Sequence, residues 1–416
     1  LSLISQDDNY YSQNYIRNQD YIYHDNIKTV QLYKDGWEMS PPIVQLKTDE
    51  KLFLSFDDLD SDFKNYKMTI IHCDANWEMS DMEQSEYLES FTDDDINENE
   101  FSFNTTKSFT HYYATLPSDY LEFNKSGNYI LRVFVEEDLD KNVAFTRRFM
   151  VVDNKVSISA RVGYPTNVSD RNTKQGVNFV IDKGHYYIAD PFRDLKVMIR
   201  QNGRWDNMIT DIKPRLISGN ELDYRYIKEN VFDGGNEFRD FNIKSMKYNS
   251  ERIRHIEYDI DGYNVYLHPD KKRVFKPYIF DNDINGKYVI ESENSNNNQT
   301  ESDYVFVHFF LPNNVPLVNG NLYVIGELTD WQFTEAGKMK YDYEEHIYYT
   351  TLYLKQGYYN YMYVFLEDGY AAADMSYIEG NHIETENDYT IYVYHREDGK
   401  RYDQLIGVYF LNSLIK

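Results

Sequence analysis

The sequence predicts an all-β chain of tandem immunoglobulin-like β-sandwich domains, and three observations point that way. Tyrosine dominates the aromatic residues, with 41 Tyr and 24 Phe against 4 Trp; a tyrosine ring packs on a half-buried sheet while its hydroxyl reaches water or a polar partner. Short runs of β-branched and aromatic residues recur along the chain, each bounded by Gly, Pro, Asn or Asp. The stretch 319–366 condenses the pattern. It runs through Leu322-Tyr323-Val324-Ile325-Gly326, pauses at Leu328-Thr329-Asp330-Trp331, resumes over 347–354, turns at Lys355-Gln356-Gly357 and leaves as Tyr358-Tyr359-Asn360-Tyr361-Met362-Tyr363-Val364-Phe365. At 416 residues the chain is too long for one core, so two or three domains are expected.

The elements follow in order. Residues 1–26 are polar and tyrosine-rich without a sustained period, which suits an N-terminal arm. Strand-like runs at 28–33, 43–46, 51–56, 66–72, 101–103, 111–116, 127–136 and 144–152 make a first sandwich over 27–153. An acidic insertion at 81–99, with Met82, Tyr87, Leu88 and Phe91, suits a helical turn or two. A second β-rich domain, 154–303, has strands at 156–162, 177–181, 195–201 and 255–260, and a pair at 276–280 and 287–290 about Asn285-Gly286. Asn202-Gly203 is a type I′ hairpin signal, and Asn285-Gly286 between two apolar runs reads as a hairpin turn. The polar tract 291–303 has nothing to bury and reads as a linker or an exposed loop at the domain border. The third domain, 304–416, contains the 319–366 module, a run at 389–395, a turn at 397–400 and a last strand at 405–410.

Charge narrows the partners. With 43 Lys plus Arg against 69 Asp plus Glu the net charge is −26, so the surface as a whole repels phosphate backbones and anionic lipid head groups. The single cysteine, Cys73, lies in an apolar run and reads as a small buried hydrophobe. No apolar run approaches the ~18 residues of a spanning helix. The chain begins at Leu1, as a mature chain does after removal of a signal peptide.

Candidate chemistry is thin. Asp281-Asn282-Asp283-Ile284-Asn285-Gly286 has the opening spacing of a calcium loop, but position twelve is Ser292, and a hairpin turn explains the glycine better. In Asp58-Leu59-Asp60-Ser61-Asp62 the glycine position is Phe63. No nucleophile elbow, zinc helix or phosphate loop occurs; Gly234-Gly235 lacks the spacing and the lysine. His72 and Cys73, as successive strand residues, point to opposite faces. No enzyme activity, metal or cofactor is expected. The 319–366 module resembles early-set and glycogen-binding modules, in which exposed aromatics stack on sugars. Trp331 and the tyrosines after Gly357 would serve here, giving a glucan-binding protein as the alternative reading.

Nine stretches in order carry a broader resemblance. Among them are Leu32-Tyr33-Lys34-Asp35-Gly36-Trp37-Glu38, Thr69-Ile70-Ile71-His72-Cys73, Gln201-Asn202-Gly203-Arg204-Trp205 and Gly234-Gly235-Asn236-Glu237-Phe238-Arg239, followed by Glu379-Gly380-Asn381-His382 and Arg401-Tyr402-Asp403-Gln404-Leu405. From about Lys28 to Val408 the chain resembles the plug proteins of the bacterial type IX secretion system. The resemblance implies a periplasmic, non-enzymatic protein without cofactor. It would dock on the giant outer-membrane β-barrel translocon, be peripheral to the membrane, and seal the barrel's periplasmic opening. A tyrosine-bearing loop at Gly369-Tyr370-Ala371-Ala372 is the expected partner contact.

Overall fold

Two sheets, one antiparallel and one antiparallel but for a single parallel strand, lie in the first unit, which comprises Leu1–Ser102, Ser108–Asp153 and Tyr394–Ile406. The structure is a computed structural model, and it describes residues 16–89, 91–135 and 142–414. The protein is mostly β, with several antiparallel sheets forming sandwich-like domains. Most of the expected arm, like the end of the 127–136 run, lies outside the described residues. Within them Tyr21–Ile22 pairs with Phe145 and Thr146.

One sheet of this unit runs Tyr21–Ile22, Val143–Val152, Gly127–Val135, Tyr66–Cys73, Asp93–Ile96, with Ile43–Gln45 in parallel on Val143–Val152. The other runs Ile27–Lys34, Leu52–Asp58, Thr110–Leu116, Glu98–Phe101. Both contribute inward residues to one core. Phe56 stacks on Tyr112 of its own sheet at 5.2 Å and meets Phe145 of the opposite sheet edge-on at 4.9 Å. The acidic insertion yields one helical turn, Gln84–Tyr87, and then Asp93–Ile96, a strand of the sequence Asp-Asp-Asp-Ile. Aspartate disfavours strands, but here Lys67 on the neighbouring strand lies 3.7 Å from Asp93 and 3.5 Å from Asp95. Cross-strand pairing overrides the local preference.

The second unit comprises Phe103–Lys107, Asn154–Val393 and Gly407–Lys416. Within it a five-stranded sheet runs Ile253–Asp259, Gly262–Leu267, Tyr304–Pro312, Ile347–Lys355, Lys340–Asp342. Another is centred on Gly357–Glu367, which pairs with Arg239–Asn242, Tyr288–Ile290 and Gly320–Ile325. Phe241, Tyr359 and Tyr361 of this sheet share a core with Val307, Phe309 and Leu352 of the five-stranded one. The border expected at 303/304 therefore falls inside one sandwich: Gly262–Leu267 pairs in parallel with Tyr304–Pro312 across it. The polar tract that suggested a break is folded. Asn297 caps the turn Asn298–Glu301, Thr300 and Ser302 are buried, and Lys355 donates to the Gln299 carbonyl.

The remaining strands form a sheet ordered Ser157–Gly163, Lys174–Asp182, Glu221–Asp223, Leu216–Ser218, with Val231–Asp233 also on Lys174–Asp182. Leu195–Gln201, Asp388–His395 and Gln404–Asn412 make a three-stranded sheet. The two turn expectations hold only in part. Asn285 and Gly286 have φ of 53° and 80°, a turn of two left-handed residues, but the hairpin expected about them is not formed, because Tyr288–Ile290 pairs with Gly357–Glu367 instead. At Asn202-Gly203 only Asn202 is left-handed, so that turn is not type I′. The expected strand at 276–280 is absent: those residues are irregular, and Pro277 within them has no N–H for a ladder.

Candidate docking site

Beyond the end of Gly357–Glu367 the chain reverses at Gly369, whose φ of 86° is one that L side chains rarely adopt. The reversal exposes Tyr370, Ala371 and Ala372, with Tyr370 65% exposed. Ala373 returns to the interior, and Asp374 pairs with Phe365. A buried clamp fixes the base of this turn. Arg204 forks onto Asp206, with its Nε 3.0 Å from Oδ1, and its Nη2 donates to the Ala373 carbonyl at 2.8 Å. Asp206 accepts from the Ala373 N–H at 3.0 Å. The sequence-predicted contact thus projects from a rigid base.

The helical turn Ser376–Glu379 follows, pointing Tyr377 outward and Glu379 inward. Glu379 is fully buried and accepts from Arg239 Nε at 3.0 Å, Arg273 Nε at 2.8 Å and the Tyr363 N–H at 2.9 Å. Burial alone would raise its carboxyl; Arg239 and Arg273 outweigh that and hold it below the usual range. Arg239 continues to Asp270 at 2.7 Å, and Asp270 accepts from the Tyr361 and Tyr363 hydroxyls at 2.6 and 2.8 Å. This network pairs each buried charge with an opposite one and ties the sandwich to the segment after Asp270.

That segment, 271–280, lies against the same helical turn. The Arg273 N–H donates to the Ile378 carbonyl at 2.8 Å, Arg239 Nη2 to the Lys271 carbonyl at 2.8 Å, and the Lys272 ammonium sits 4.5 Å above the Tyr377 ring. Farther along, Tyr278 donates its hydroxyl to Glu237. The Glu237 carboxyl group lies near the carboxylates of Asp283 and Glu386, its Oε2 is unpaired, and burial pushes it up to about 7. Asp283 rises to about 6, burial again outweighing the N–H groups of Asn285 and Phe238.

Other candidates resolve into structural roles. Trp331, itself at φ 55°, is wedged between two glycines: a Cβ on Gly203 would meet its Nε1 at 2.1 Å and one on Gly286 its Cη2 at 2.4 Å. Phe238 closes edge-on at 5.9 Å. Of the tyrosines after Gly357, Tyr359, Tyr361 and Tyr363 are core residues. None of these rings is an exposed platform for a sugar. At Gly234 an added Cβ would lie 2.0 Å from the His382 carbonyl oxygen, so this glycine admits a neighbouring backbone. The carboxylates of Asp58, Asp60 and Asp62 converge, but on the Lys64 ammonium, which lies 2.8 Å from Asp58 and 3.5 Å from Asp62. His72 and Cys73 are both buried. Burial lowers the imidazole to about 4 and raises the thiol to about 12, and His72 Nδ1 pairs with Ser80 at 2.9 Å. A buried, protonated thiol is inert.

In the segment 271–280 the apolar residues of 276–280 have the composition of a strand. What marks the segment is charge: Lys271, Lys272, Arg273 and Lys276 with no carboxylate, in a chain of net charge −26.

Fold and site together define a mostly β protein of several sandwich-like domains, on which the loops at 369–372 and 271–280 are held by buried hydrogen-bonded bases. Residues 27–153 match the family described as the type 9 secretion system plug protein first domain, and the chain belongs to the plug proteins of that system. A hypothetical protein from Parabacteroides merdae, known from a crystal structure at 2.30 Å resolution, is 36% identical with a TM-score of 0.92. The match covers 96% of this chain and 100% of that one. The C-terminal domain of the Streptococcus pyogenes protein AspA has a TM-score of 0.16 at 7% identity, over 92% of this chain and 99% of that one, and carries no argument. No curated protein matches the chain. No helix among the described residues is long and apolar enough to cross a membrane.

Proposed function

We propose that this chain is a non-enzymatic periplasmic plug that docks on the outer-membrane translocon barrel of the type IX secretion system and closes its periplasmic opening. The family membership carries this reading. The structure supports it physically: closing a pore needs stiff mass and a reversible contact, and the described sheets supply the first through cores of interlocked aromatic rings. Gly369, Tyr370, Ala371 and Ala372 belong to the docking surface, as an exposed tyrosine on a fixed base loses little entropy on binding. The sandwiches are immunoglobulin-like, the later one of early-set type. As expected of a protein that docks on a barrel without spanning the membrane, the high charge keeps any released copy dispersed.

Affinity purification of the tagged chain from detergent-solubilised outer membranes should recover a very large barrel protein in defined stoichiometry, and deletion should admit bulky solutes to the envelope. Recovery without the barrel, or unchanged permeability in the deletion strain, contradicts the reading.

A further inference from the structure

Exposed apolar side chains on one loop need a reason, since scattered ones are ordinary but a concentrated set marks a contact. Phe275 is 97% exposed, Ile279 73% and Phe280 54%, all within six positions of the irregular segment 271–280. Around them stand Lys271 and Lys276, both exposed. This segment is held, not loose. Arg273 is pinned by Glu379 and by the Glu237 carbonyl at 2.7 Å, the Lys276 N–H donates to the Arg273 carbonyl at 2.8 Å, and Tyr278 is bonded to Glu237. The inward residues thus fix the backbone that presents the outward ones.

From this arrangement we infer that the loop 271–280 is the electrostatic and apolar anchor of the docking surface, and that its partner is a protein surface with an apolar pocket ringed by carboxylates. The inference rests on the plugging reading and names the chemistry of the contact. Charge complementarity selects the partner: a chain of net charge −26 approaches an acidic surface through a local cationic patch, and this loop presents the exposed Lys271 and Lys276 with no carboxylate between positions 271 and 280, while Arg273 is turned inward onto Glu379. The net charge of −26 disfavours an anionic lipid surface, and a loop ordered before contact loses little entropy on entering a protein pocket. The neighbouring tyrosines agree. Tyr377 lies under Lys272, and Tyr370 stands on the reversal at Gly369 that precedes the helical turn Ser376–Glu379; both are exposed amphipathic rings of the kind enriched at protein interfaces.

The experiment measures binding of the full chain to the purified, detergent-solubilised barrel complex at two salt concentrations. The variants are Lys271→Glu with Lys276→Glu, Phe275→Ser with Ile279→Ser, and Tyr343→Ser as a control at an exposed tyrosine elsewhere. Each loop variant is expected to weaken binding by about tenfold or more while the control binds normally. The charge-reversed variant should also lose most of the wild-type salt dependence. Circular dichroism unchanged from wild type excludes misfolding, and a photo-crosslinker at position 275 should join the chain to the barrel protein. Loop variants that bind as tightly as wild type, or a crosslinker that never reaches the barrel although the complex forms, overturn the inference and leave plugging intact. A loop that instead confers binding to vesicles of anionic lipid, lost in the Phe275 variant, overturns it in favour of a membrane contact. A wild-type chain that fails to bind the barrel at all sinks the plugging reading, and this inference with it.

Discussion

Two buried carboxylates hold the two ends of the loop 271–280, by opposite electrostatics. Glu379 takes the Arg273 end and is shared by two guanidiniums, so it stays ionised and the attachment is a permanent ion pair. Glu237 takes the Tyr278 end with acidic neighbours and an unpaired oxygen, so its charge is disfavoured. The same residue type, a few side chains apart, becomes a fixed rivet in one place and a proton-dependent latch in the other. Burial is common to both; the presence of a cation decides.

The largest effect comes from breaking the rivet. Glu379→Ala leaves Arg239 and Arg273 as buried charges without their shared partner and should cost about 3–5 kcal/mol in denaturant unfolding. A cost below ~1 kcal/mol would show that Asp270 and solvent satisfy both guanidiniums. Cutting the latch is milder: Tyr278→Phe removes one hydrogen bond to a buried carboxyl group and should cost about 1–2 kcal/mol. Hydrogen exchange should then speed up over 275–280 and remain slow at 271–273, which separates the two attachments. Equal acceleration along the whole loop would erase the contrast.

The smallest effect is in pH dependence. Glu237 has a folded value of about 7 against an ordinary 4.5, so between those values the folded state binds the proton more tightly than the unfolded chain. Its contribution to stability is present below about 4.5 and is lost as pH rises through about 7. Asp283, at about 6, acts in the same direction. Glu237→Gln, which cannot ionise, should flatten the fall in urea midpoint between pH 5 and pH 8. A slope identical to wild type would mean that Glu237 is not the titrating group.

The sequence reveals these features unevenly. Local signals were sufficient where chemistry and conformation coincide over a few positions: Asn285-Gly286 adopts the paired positive φ values its residues favour, and Gly369-Tyr370 is the exposed reversal its composition suggests. Long-range pairing was not readable. Arg239 and Glu379 are 140 positions apart, and among 69 acidic residues nothing local marks Glu379 as the buried one. Asp93–Ile96 is a strand only because Lys67 lies beside it, and the 303/304 border looked like a break because a polar tract can cap a sandwich as well as link two. Asn202-Gly203 has the composition of a turn signal, but what requires glycine at 203 is the Trp331 indole, 128 residues on.

The most direct test of the central claim is electrical. Purified barrel complex, stripped of this chain and reconstituted in a planar bilayer, should conduct; adding the chain from the periplasmic side should abolish the current near one copy per barrel, and removing it should restore conduction. Bound chain with undiminished current would contradict the account.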